Sequence, residues 1–103
     1  MRVLDAVPAQ REGPRPATAV LHDDPNARVV GFHLAPGQQV PPHSSASTVV
    51  VIVVRGAGRF RDADVEVELK AGQAAVFDPG EVHAIAADAE PLAFLAVLAP
   101  SPR

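Results

Sequence analysis

With no cysteine in the chain, metal or acid–base chemistry near neutral pH falls to its four histidines, His22, His33, His43 and His83. Neutral imidazole suits first-row divalent ions, but only in company. Open zinc sites use three protein ligands, and non-haem iron sites use two histidines and a carboxylate. Asp78 and Glu81 precede His83, and Gln39 and Ser45 flank His43, so these four are the nearest candidate donors. The plainer reading of Asp78 and Glu81 is a solvated turn around Pro79-Gly80. His33 reads as a satisfied or exposed histidine, and His22, before Asp23-Asp24-Pro25-Asn26, as a capping or solvent-facing one. Ser44, Ser45 and Ser47 lack the Gly-x-Ser-x-Gly surroundings of a nucleophile elbow. Arg55, Arg59 and Arg61 could attract an anion, but a hairpin paired with Asp62 and Asp64 is the simpler expectation. No catalytic residue can be named from the sequence.

Composition narrows the classes. A chain of 103 residues, 48% hydrophobic and 20% charged, fits one globular domain. The formal net charge is −3, the nine basic residues are scattered, and neither Trp nor Tyr is present. That balance offers neither a phosphate-neutralising stripe nor a stacking platform, so no nucleic-acid partner is expected. The longest apolar run, Val49 to Val54, is far short of a membrane span. The expected setting is soluble and cytoplasmic.

The elements that must position the histidines are strands. Eleven Pro and seven Gly punctuate the chain. Turn signals recur at Pro36-Gly37, Gly56-Ala57-Gly58, Ala71-Gly72, Asp78-Pro79-Gly80 and Asp88 to Pro91. Apolar segments of strand length lie between them, with no sustained helical period. Val30, Phe32 and Leu34 form one face of a strand. Val65, Val67 and Leu69 are expected to point inward, opposite Glu66, Glu68 and Lys70. Thr48 to Val54 and Leu92 to Leu98 are apolar on both faces. A small barrel cannot bury both by itself, so a second subunit or the N-terminal arm must cover the outer face, and a homodimer is the expected cover. Residues 1–16 are expected to be an N-terminal edge strand (2 to 7) and a loose arm (8 to 16), with the barrel domain over 17–100.

Two segments carry a family resemblance. One runs Gly37-Gln38-Gln39-Val40-Pro41-Pro42-His43-Ser44-Ser45-Ala46-Ser47-Thr48-Val49 and on to Gly56. The other runs Gly72-Gln73-Ala74-Ala75-Val76-Phe77-Asp78-Pro79-Gly80-Glu81-Val82-His83. They resemble the paired motifs of small single-domain cupins of the conserved-barrel type. Gly37, His43 and Gly56 match the first motif, and Gly72, Gly80 and His83 the second. The resemblance spans about residues 17 to 100 and implies an all-β fold, the cupin double-stranded β-helix or jelly-roll barrel.

The same resemblance implies a site inside the barrel. Metal-binding cupins hold Mn, Fe, Ni, Zn or a similar divalent ion with three histidines and a glutamate. Here the second histidine position is Ser45 and the glutamate position is Val49, so only His43 and His83 remain as metal ligands. Asp78 stands where the second motif has proline, and Ala87 where it ends in asparagine. The implied ligand pocket is His43, Ser45, Val49 and His83, with Gln39, Asp78 and Glu81 as extra donors. The function implied is a small-molecule-binding cupin, metal-free or weakly metal-binding. The alternatives are a metal-dependent dioxygenase or isomerase with an atypical ligand set, and a structural or partner-binding dimer without pocket chemistry.

Overall fold

The computed structural model describes all residues, 1–103, and contains eight strands and no helix. In chain order they are β1 (Ala17–Asp23), β2 (Arg28–Leu34), β3 (Gln39–His43), β4 (Thr48–Arg61), β5 (Glu66–Lys70), β6 (Ala74–Phe77), β7 (His83–Ala86) and β8 (Leu92–Ala99). Every pairing is antiparallel. No helix is present that is long and apolar enough to cross a membrane.

One long strand organises the molecule. The first half of β4 lies between β8 and β6, where Val49 faces Leu98 on one side and Phe77 on the other. Its second half lies between β7 and β5, where Phe60 faces Ile85 and Val67. The strand therefore belongs to two sheets, β1-β2-β8-β4-β6 and β3-β7-β4-β5, and curls one over the other. The switch falls at a register shift between Val53 and Arg55, followed by Gly56 at φ +74°. A bulge adds bend and twist, and glycine alone reaches that φ without strain.

The core lies between the two curled halves. Antiparallel partners share a face, so β2, β8 and β4 send Phe32, Leu34, Phe94, Leu92, Val51 and Val49 to the same side. Phe94 stacks on Phe32 at 4.7 Å and meets the Phe60 ring edge-on at 5.7 Å. Burying a ring fully, as for Phe60 and Phe94, contributes about 1.5–3 kcal/mol. Val67 does share the face of Phe60, as its alternation predicts, but the end of β5 is uncovered. Val65 and Val67 remain 57% and 45% exposed, while Leu69 packs partly buried against the core, so only one end of this inward face is covered within the chain.

Residues 2–7 form no strand. β2 is already flanked by β1 and β8, which leaves no vacancy in its ladder. The segment instead crosses the outer face of β2, where Gly31 lets the Ala6 carbonyl approach closer than any Cβ would allow. Residues 8–16 are not loose. His33 Nδ1 donates to the Pro8 carbonyl at 2.7 Å. The buried Gln38 amide donates to the carbonyls of Arg11, Gly13 and Arg15 at 2.7, 2.8 and 3.0 Å. Its Oε1 accepts from the Ala35 N–H at 2.7 Å. The arm thus covers part of the outer face, while Val50, Ile52, Leu95 and Val97 stay half-buried and Val54 and Val76 exposed.

Candidate functional site

His43, although exposed, borders the barrel cavity through an irregularity. Val40 pairs with Ile85 and His43 with His83, three residues along β3 against two along β7. The extra residue is one of Pro41 and Pro42. Strict alternation from Val40 would turn position 43 outward; the bulge returns it to the inner side. Proline has no N–H to give a ladder and is at home in such a bulge. His83 needs no such device, because it alternates with Ile85 on β7.

The two imidazoles pack edge to face, with centroids 4.2 Å apart and planes at 64°. His83 is also stacked on Phe77 at 4.3 Å. His43 Nδ1 lies 2.9 Å from the Pro41 carbonyl, and His83 Nδ1 lies 3.0 Å from the Glu81 carbonyl. A carbonyl only accepts, so each Nδ1 carries a proton; in a neutral ring Nε2 then holds the lone pair. Neither Nε2 has a partner in the chain. His83 is only 3% exposed. Burial, and then the neighbouring His43, hold its pKa below the usual 6.5, against the opposing effects of the Glu81 carbonyl and the Glu81 charge.

This depressed pKa has a consequence for stability. Below about pH 6.5 the unfolded chain takes up a proton at position 83 that the folded chain resists. The contribution of His83 is therefore complete above pH 6.5 and is lost as pH falls through the folded pKa. Between about pH 7 and pH 5.5 the melting temperature is expected to fall more steeply in the wild type than in His83→Asn. Parallel curves would contradict this assignment.

The imidazoles stand at one side of an inner cavity of about 310 Å³, most of whose lining is apolar. Ser45 and Val49 line the same cavity, with Val40, Phe32, Phe94 and Leu98. The other expected donors lie elsewhere. Gln39 pairs with Ala86 on the opposite face of its sheet, beside Arg59 and Arg61. The Glu81 carboxylate accepts from the Asp78 N–H at 2.8 Å, closing the turn, and Asp78 is exposed. Ser45 Oγ accepts from the Ser47 N–H at 3.1 Å. No group of three or more His, Asp and Glu is arranged so that it could hold a metal ion. The donor set does not fit a resident ion of the three-histidine, one-glutamate kind, because Val49 and Ser45 occupy two of its four positions.

The remaining histidines are structural. His33 anchors the arm, and His22 Nε2 lies 2.9 Å from Asp24. Arg59 pairs with Asp88 at 2.8 Å and Glu66 at 3.2 Å, rather than with Asp62 or Asp64. Asp62 instead accepts the N–H groups of Asp64 and Val65 and closes the hairpin.

One cavity residue was not anticipated. Arg28 borders the cavity on the inner face of β2. The available signal was its even spacing with Val30, Phe32 and Leu34, which places it on their face.

The description "Cupin domain" matches residues 31–98, two thirds of the chain and the whole of the site from β3 to β7. The chain belongs to the cupin family. This cupin is similar to an uncharacterized conserved protein with a double-stranded beta-helix domain from Klebsiella pneumoniae. The TM-score is 0.87 at 26% identity, over 98% of this chain and 91% of that one. It also shares its fold with KdgF from Halomonas sp., at a TM-score of 0.79 and 20% identity, over 88% and 85% of the two chains. The DMSP lyase DddQ from Ruegeria pomeroyi aligns at 0.78 and 17% identity, over 87% of this cupin and 51% of the lyase. A search of curated proteins finds no match.

Proposed function

We propose that this cupin binds a small organic molecule inside its barrel, at His43 and His83, without a resident metal. The supporting observation is the pair of Nε2 lone pairs left free by the Pro41 and Glu81 carbonyls, at the side of an apolar cavity. Such a pair accepts hydrogen bonds from a hydroxyl or ammonium group while the cavity wall takes an apolar body. The family includes enzymes as well as binders, so fold alone does not choose between them. Here the substitution of the other two ligand positions by Ser45 and Val49 favours binding over metal-dependent turnover. The reading extends to a cytoplasmic homodimer, with the half-covered outer face of Val50, Ile52, Leu95 and Val97 as the contact.

The test is metal analysis of protein purified without a histidine tag, joined to melting curves over a metabolite panel. A true ligand at about a hundredfold excess over its Kd adds about 2.7 kcal/mol, a rise of roughly 10 °C or more for a domain of this size. That rise is expected in the wild type and absent in His43→Ala and His83→Ala. Near-stoichiometric Mn, Fe, Ni or Zn that disappears in both variants would overturn the metal-free reading.

A further inference from the structure

Arg28 is the one cationic side chain on the cavity wall, and its hydrogen bonding is incomplete. Nη2 donates to Asp23 Oδ2 at 3.2 Å. Nε is buried and has no partner. Buried donors without acceptors are rare, and a charged one is costly to leave unmatched. Asp23 does not make up the deficit. It also accepts from the Ser101 hydroxyl at 2.6 Å and lies 3.7 Å from Arg103 Nε. The guanidinium groups of Arg28 and Arg103 therefore share the Asp23 carboxylate.

The register shows how Arg28 relates to the histidines. Arg28 pairs with Leu98, Leu98 with Val49, and Val49 with Phe77, on which His83 stacks. That is a single cross-strand row over four strands, roughly 14 Å at about 4.8 Å per step before the curl of the sheet shortens it. Cation and imidazoles thus stand at the two ends of one apolar wall.

We infer that the molecule this cavity takes is a carboxylate with a short apolar body. The carboxylate sits on Arg28, the body lies along Phe32, Phe94 and Leu98, and the far end meets His43 and His83. This rests on the proposed role of the cavity as a ligand site. A guanidinium matches a carboxylate in geometry as well as charge, and a neutral amide of the same shape gives up the charge-assisted bond.

The probes are hexanoate and benzoate against hexanamide and benzamide, titrated at constant ionic strength by calorimetry and by ¹⁵N spectra that resolve the Arg28 Nε–H. The acids are expected to bind the wild type at least about tenfold more tightly than the amides, and to shift the Arg28 Nε–H signal. Arg28→Gln is expected to bring the two series within about twofold, and Arg28→Lys to restore part of the difference. Equal binding of acids and amides to the wild type would overturn the inference and leave the cavity reading intact, and it needs no folded variant. Retained preference in Arg28→Gln would also overturn it. Binding of neither series would overturn this inference and leave the ligand-site reading to the metabolite panel.

Discussion

Gly56→Ala is expected to lower the melting temperature by roughly 15 °C or more. Two separate effects add. The residue sits at φ +74°, where a side chain costs about 1–2 kcal/mol. An added Cβ would also overlap the carbonyl oxygen of Pro91, which is backbone and cannot rotate away. Relief requires moving the entry to β8, where Leu92, Ala93 and Phe94 are among the most buried residues of the chain. Overpacking of that kind adds about 1–3 kcal/mol. A total near 3–4 kcal/mol, at about 4–8 °C per kcal/mol, gives the stated shift. Gly37→Ala is the control: φ is +85°, but nothing lies near the added methyl. An equal loss in both variants, measured by calorimetry, would show that the approach of Pro91 contributes nothing.

Gln38→Leu is expected to destabilise the fold by about 3 kcal/mol and to free the arm. Leucine keeps the volume but loses every polar contact. The Ala35 N–H loses its acceptor, and the carbonyls of Arg11, Gly13 and Arg15 lose a shared donor. A net bond contributes about 0.5–1.5 kcal/mol, and a buried group left unpaired costs about 1–3 kcal/mol. The local readout is trypsin cleavage after Arg11, an exposed residue whose backbone is held only through its carbonyl. Cleavage should become much faster in Gln38→Leu under conditions where the barrel stays folded. Unchanged cleavage together with an unchanged melting temperature would show that the amide does not hold the arm.

Those two residues mark different limits of sequence reading. Gly56 was legible, as a turn signal and as a motif glycine, although its real task is to let one strand pass between two sheets. Gln38 was not. Its acceptors lie 23 to 27 residues away along a proline-broken segment with no period to reveal an approach. The expected edge strand failed for a related reason. Strand propensity is local, but a place in a ladder depends on which edges the rest of the sheet leaves open. The inward alternation of Val65, Val67 and Leu69 holds in burial only for Leu69, which packs against the core, since alternation says which face a residue takes and not whether anything covers it.

By itself the sequence determined the all-β class, the spacing of turns, the cupin resemblance, and the fact that positions 45 and 49 can offer a metal no imidazole or carboxylate. These are properties of residue type and short-range order, which glycine, proline and the two-residue period of a strand write directly into the chain. Only the tertiary structure decided which way His43 faces, because a single extra residue in the Pro41-Pro42 bulge reverses the alternation. It alone decided that Gln39 lies on the opposite face of its sheet, that the Glu81 carboxylate is tied to the Asp78 N–H, and that Arg28, with Nε unmatched, borders the same cavity. Each of those outcomes depends on register between strands distant in sequence, and register is set by the whole sheet rather than by any segment of it.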